Sequence, residues 1–248
     1  MGTKAIDPQS IRNVTLIGSP GETTRLTHAI QRATGRIDHT IRIAELSSAA
    51  PTATLERSIR VADGVIILGN TTSQHAARLE TILRTADDHQ VARLCLITET
   101  ADLTTDFTRC LHAIAETRGA VALPLQIPIG TGTEFEGVID LLSMWALEPT
   151  VIEFYGRHWK VAEHHYRELI RTVMEQDPSA SAAFRNLREI PLERLHRRIR
   201  RLTRMGDVVP VLCSPALDSD DVEPLLNAIL RYLPSPLDVC QPEHALDY

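Results

Sequence analysis

Short apolar runs recur along this chain, and they alternate with segments of helical spacing. Residues 13–17 (NVTLI), 64–69 (GVIILG), 93–97 (RLCLI) and 208–213 (VVPVLC) have the length and character of strands buried inside a sheet. Residues 41–44 form a shorter strand candidate, and 120–127 read as extended. The intervening stretches 23–33, 55–62, 76–86, 106–117 and 222–233 carry helical spacing. Strands alternating with helices predict a mostly parallel sheet covered on both faces, an α/β fold of the Rossmann-like kind.

The rhythm changes between residues 128 and 206, where a short extended piece at 150–155 precedes three helical segments at 161–175, 179–187 and 192–205. This pattern predicts an α-rich subdomain over 128–207, inserted into a sheet domain made of 1–127 and 208–248. From Pro234 the proline-rich stretch PSPLDVCQP reads as an extended exit. A length of 248 residues suits one large domain with an insert, and it is enough to bury a core.

The net charge of -6 argues against bulk electrostatic binding to nucleic acid or to an anionic membrane. Sequence-specific nucleic-acid binding is not expected. No apolar run approaches the roughly 18 residues that span a bilayer, so the expectation is a cytoplasmic protein with no membrane partner. The four cysteines, Cys95, Cys110, Cys213 and Cys240, are widely spaced and show no CxxC pairing. Cys95 and Cys213 lie in apolar runs and read as small core residues. Lysine occurs only at Lys4 and Lys160, so nearly all positive charge is arginine.

Several stretches resemble the G domain of translation elongation factor G, in order and over nearly the whole chain. They are Ile11-Arg12-Asn13-Val14, Thr34-Gly35-Arg36-Ile37, the segment LERSIRVADG at 55–64, and Leu125-Gln126-Ile127-Pro128-Ile129-Gly130 followed by FEGVIDL at 135–141. Val209-Pro210-Val211-Leu212-Cys213 and YLPSPLDV at 232–239 complete the set. The resemblance implies a P-loop NTPase-like sheet, with the insert at 128–207 corresponding to the G′ insert of that factor and its close relatives. It also implies that the family's further domains, which reach the decoding site, are missing here.

The nucleotide motifs of the resembled family are eroded. A phosphate loop requires G-x-x-x-x-G-K-[ST], whose backbone N–H groups cradle phosphate, whose Lys neutralises it and whose hydroxyl holds Mg²⁺. The matching stretch is Gly18-Ser19-Pro20-Gly21-Glu22-Thr23-Thr24. Its inter-glycine loop is two residues short, Pro20 removes a donor, and Glu22 stands where the lysine belongs. At 4 Å and an effective dielectric near 20, one charge pair is worth about 4 kcal/mol. Exchanging cation for anion therefore costs on the order of a thousandfold or more in affinity. Two readings of Gly18, Ser19, Gly21, Thr23 and Thr24 follow. One is a tight strand-to-helix turn with Glu22 complementing the helix dipole; the other is a weakened anion site at the helix N-terminus.

Between Ile37 and Arg42 there is no room for the long first switch. Glu45-Leu46-Ser47-Ser48-Ala49 replaces the family's DTPGH segment. Counting from Arg93 places Thr98-Glu99-Thr100-Ala101 at the guanine-reading NKxD motif, and a one-residue slip brings Asp102 into the key place, as base reader or as plain loop carboxylate. Ser214-Pro215-Ala216 replaces the SA motif.

Residues 195–204 are dense in arginine. Leu195, Ile199 and Leu202 form a buried stripe, leaving Arg197, Arg198, Arg200, Arg201 and Arg204 on another face. That face is either solvated or a contact for RNA phosphate or an acidic protein surface. In the resembled family the G′ insert touches the acidic stalk protein of the large ribosomal subunit, which implies a protein partner of that kind. Among the ten histidines no metal-binding spacing occurs, and adjacent His164 and His165 point to different faces of a helix. The expectation is thus a pseudo-GTPase: a non-hydrolysing binding module of the translation machinery, with no catalytic residues, no metal and no cofactor. The alternative is a divergent GTP hydrolase, completed by a partner, that binds GTP or GDP with Mg²⁺.

Overall fold

The structure, a computed structural model, describes residues 8–34, 40–69, 73–98, 103–117, 119, 121–130, 136–145, 156–177, 190–214 and 222–239. A 3₁₀ turn (Pro8–Ser10) leads into β1 (Ile11–Gly18), α1 (Pro20–Thr34), β2 (Thr40–Ser47), α2 (Thr52–Arg60) and β3 (Gly64–Gly69). Then follow α3 (Ser73–Asp88), β4 (Ala92–Thr98), α4 (Leu103–Glu116) and β5 (Ala122–Pro124). Next come β6 (Gln126–Ile129), β7 (Gly137–Asp140), 3₁₀ turns at Ser143–Trp145 and Gly156–His158, α5 (Trp159–Gln176) and α6 (Leu192–Met205). The chain returns through β8 (Val209–Ser214), α7 (Glu223–Tyr232) and a last short helix, α8 (Pro236–Val239). The helical segment expected at 179–187 lies outside the described residues.

Six strands form one sheet in the order β2-β1-β3-β4-β8-β5, with every neighbouring pair parallel. This is the α/β, Rossmann-like architecture of P-loop folds. Strands β3 and β4 are buried at every position, which is why they read as unbroken apolar runs rather than alternating ones. Leu16, Ile17, Ile66 and Leu94 of the sheet and Ile30, Leu55, Ile59 and Leu83 of the helices all belong to one buried core. Full burial of each such side chain is worth about 1.5–3 kcal/mol. Cys95, Cys110 and Cys213 are also buried, and burial pushes the Cys213 thiol well up from its ordinary range.

The extended stretch at 120–127 divides at Leu125. Before it β5 pairs with β8, and after it β6 turns away to pair antiparallel with β7. Leu125 joins the two, its N–H donating to the Val211 carbonyl and its own carbonyl accepting from Leu141 N–H, both at 2.9 Å.

A buried arginine ties the strand–helix layers together. Arg93 on β4 is fully buried and donates to the carbonyls of Leu83 (3.1 Å), Gly119 (3.4 Å) and Gly206, with Asp87 as its ion-pair partner at 3.0 Å. Burial lowers its pKa, and Asp87 opposes that. Gly206, which ends α6, has φ +80, a left-handed conformation suited to glycine. Its carbonyl reaches Arg93 only through that turn geometry.

Candidate functional site: the β1–α1 corner

From β1 the chain crosses to β2 on one side, and from β2 it passes over to β3 on the other. The switch point of this sheet is therefore between the C-terminal ends of β1 and β3, where open α/β sheets place their ligands. Gly18, Gly69, Thr98 and Ser214 end the strands along that same edge.

The corner is filled by the protein itself. Ser19 precedes α1, Pro20 occupies its first position and Glu22 its first turn. The Ser19 hydroxyl donates to Glu22 Oε2 at 2.6 Å, and the Ser19 carbonyl accepts the first helical N–H, from Thr23, at 3.0 Å. Serine and glutamate three apart at a helix start is the capping-box pattern, and the carboxylate also faces the positive end of the helix dipole. Thr23 donates its hydroxyl to the Pro20 carbonyl (3.0 Å), and Thr24 donates to Glu45 Oε2 (2.8 Å). Burial would raise the Glu45 pKa, but hydrogen bonds from threonine hydroxyls, Thr24 foremost, outweigh it and hold the carboxyl below its ordinary range. Both glutamates thus present negative charge beside the helix start.

Gly18 has a packing reason to be glycine. A Cβ there would stand 2.8 Å from Leu68 Cδ1 of β3, so the close approach of the two strands excludes a side chain. Gly21, by contrast, has open space around it.

The segment after β2, where the resembled family carries its second switch, begins by extending the β1–β2 ladder. Ser48 N–H donates to the Gly18 carbonyl at 2.8 Å, and Ala49 N–H to Ser47 Oγ at 3.2 Å. Arg78 of α3 clamps this turn by donating to the carbonyls of Ser48 and Ala50. A cation does approach the corner, therefore, but its Nε and Nη2 donors go to backbone oxygens.

The structure brings Gly18, Ser19, Gly21, Thr23 and Thr24 together at one strand–helix junction, and the polar side chains among them, Ser19, Thr23 and Thr24, all have partners within the chain. Asp102 lies outside the described residues. These residues do not fit a magnesium nucleotide: Glu22 lies in the first turn of α1, a second carboxylate, Glu45, is bonded to Thr24, and among the described residues no lysine stands at the corner. Among the described residues, no group of three His, Cys, Asp or Glu side chains is placed to hold a metal ion. Among the same residues no helix is long and apolar enough to cross a membrane.

The arginines of α6 are held mostly from within. Arg198 pairs with the buried Asp177 that follows α5, and Arg201 lies 3.9 Å from the same carboxylate. Arg200 and Arg204 pair with Asp238 of α8 at 3.0 and 3.1 Å. Arg197 is exposed, its Nε donating to the Glu193 carbonyl at 3.4 Å. Leu195, Ile199 and Leu202 are buried beneath. Sequence periodicity locates this helix and its stripe; the acidic partners sit 21 and 38 residues away, too far for spacing to reveal.

No family model matches the chain. In fold it is similar to the crystal structure of a protein from Thermus thermophilus, with a TM-score of 0.68 and 19% sequence identity. The match covers 93% of this chain and 41% of that one, so the chain spans about two fifths of the length of the structure it matches. Similarity at this level shows the α/β fold.

Proposed function

We propose that this chain is a pseudo-GTPase: an elongation factor G-like domain that does not bind or hydrolyse GTP and works as a protein-docking module of the translation machinery. The supporting observation is the Ser19–Glu22 hydrogen bond of 2.6 Å, with Glu45 held ionised alongside. In a working phosphate loop the helix start offers N–H groups and a cation to phosphate. Here a phosphate group would meet two carboxylates, one of them already hydrogen-bonded to the Ser19 hydroxyl. The turn after β2 is held by Arg78 through the carbonyls of Ser48 and Ala50, so a γ-phosphate that ordered it would have to displace those bonds. The resemblance to elongation factor G, which spans the insert as well as the sheet, supports the translation setting. Co-sedimentation of the purified chain with ribosomes tests the docking role. Saturable binding unaffected by added GTP or GDP is the expected result; no binding at micromolar ribosomes would contradict it.

A further inference from the structure

Away from the β1–α1 corner, α6, α7 and the β6–β7 hairpin enclose a cleft of about 380 Å³, within the size range of ligand pockets. Its floor is apolar, with Leu125, Leu212 and Ala228 all buried. Along α7 the rim residues Glu223, Asn227 and Arg231 fall at i, i+4 and i+8, so they share one face. Asp140 stands opposite on β7, and its Oδ1 accepts the N–H groups of Leu142 and Ser143, both at 2.9 Å. That turn fixes the carboxylate and leaves Oδ2 without a protein partner among the described residues. Glu223 and the Asn227 side chain likewise have none among those residues.

The charges in the cleft do not balance. Among the described residues Arg231 is its one guanidinium, and Glu193 already lies 3.6 Å from it. His196 hydrogen-bonds Tyr232 Oη through Nδ1 at 2.7 Å. Burial and the nearby Arg231 lower the His196 pKa, so the ring adds no charge at neutral pH. Two carboxylates without a cation partner among the described residues, Asp140 and the exposed Glu223, therefore line a cleft with an apolar floor.

We propose that this cleft binds an alkylammonium group, its ammonium between Asp140 and Glu223 and its hydrocarbon stem on Leu125, Leu212 and Ala228. The group is either a free small amine or the lysine side chain of a partner protein. Anions are disfavoured by the two carboxylates, and the Asn227 carboxamide supplies a further acceptor. This inference is independent of the nucleotide corner and stands whether or not the chain docks on ribosomes.

The test is an NMR titration of the full chain with n-butylammonium, n-butyrate and Nα-acetyl-lysine methylamide. Saturable shifts of α7 amides with the two amines, and none with butyrate, are expected. Glu223→Gln combined with Asp140→Asn, which keeps an acceptor for the turn, is expected to weaken amine binding about tenfold or more. The variant's circular dichroism and melting curve establish that it is folded. Tighter binding of the lysine amide points to a partner's lysine, and tighter binding of butylammonium to a free amine. Equal binding of butyrate, absence of saturable shifts with both amines, or unchanged affinity in the folded variant overturns the proposal.

Discussion

The β1–α1 corner and the α6–α7 cleft belong to one molecule but are finished in opposite ways. At the corner the side chains answer one another: Ser19 with Glu22, Thr23 with the Pro20 carbonyl, Thr24 with Glu45. In the cleft Asp140 Oδ2, Glu223 and Asn227 have no such partner among the described residues. A ligand at the corner must first break bonds that already exist, so each new contact is an exchange with little net gain. A ligand in the cleft adds contacts where only solvent competes. The fold class places binding at the switch point, whereas the proposed amine site lies in the cleft.

The largest effect should come from the buried layer between helices and sheet, where Arg93 of β4 fastens the C-terminal end of α6 through Gly206. Arg93→Met leaves three carbonyls without that donor and Asp87 without its partner. A loss of about 2–3 kcal/mol is expected from the carbonyls left without a donor, since Asp87, 41% exposed, stays solvated; it is read as a lowered midpoint in urea unfolding. A loss under about 1 kcal/mol, the scale of an exposed pair, would mean that the anchoring of α6 at Gly206 does not depend on this buried cation.

The clamp on the other side of α6 should matter less. Asp238 accepts from Ser235 N–H and hydroxyl at 2.8 and 3.0 Å and pairs with Arg200 and Arg204. Asp238→Ala removes a cap and two partly exposed ion pairs, for an expected loss of about 1–2 kcal/mol. Burial would raise the Asp238 pKa, but the Ser235 bonds and the two guanidinium groups lower it on balance. Its contribution is thus complete above the unfolded carboxylate pKa and is lost as pH falls toward the lower folded value. Wild type and Asp238→Ala should converge in stability as acid is added.

At the corner, Ser19→Ala should cost about 1 kcal/mol through the lost hydrogen bond to Glu22 and leave nucleotide binding absent. The comparison would break if the same change, or Glu22→Gln, created measurable GTP affinity, since the corner would then be occluded by a single contact rather than rebuilt throughout.

A smaller effect should appear near neutrality. The folded His196 pKa lies below its unfolded one because of burial and Arg231, so the unfolded chain binds more protons as pH falls. Stability should decline as pH drops below the unfolded histidine value of about 6.5, and His196→Gln should flatten part of that slope. An unchanged slope would remove His196 from the account.

The legible parts of this structure are those with local causes. The runs GVIILG and RLCLI fall inside β3 and β4, and the stripe Leu195, Ile199, Leu202 fixes α6, because burial imposes a period that a short window contains. The capping at Ser19 and Glu22 is also local, and a turn with Glu22 at the dipole is one of the two readings that the residues allow. Long-range pairings are not legible. Nothing near Arg93 announces that Leu83, Asp87, Gly119 and Gly206 converge on it, and an arginine within RLCLI gives no sign of being fully buried. The β6–β7 hairpin escapes a sequence reading because Leu125 divides one extended stretch between two sheets. The cleft escapes it for the same reason: Asp140, His196 and Glu223 belong to three elements that only the fold brings together.

Calorimetric titration of the purified chain with GTP and GDP, with and without Mg²⁺, tests the central claim most directly. The account predicts no binding heat up to millimolar nucleotide and no rise in melting temperature. Micromolar or tighter binding of either nucleotide would contradict it, because that affinity requires a cation and free N–H donors at a helix start that presents Glu22 and Glu45 instead.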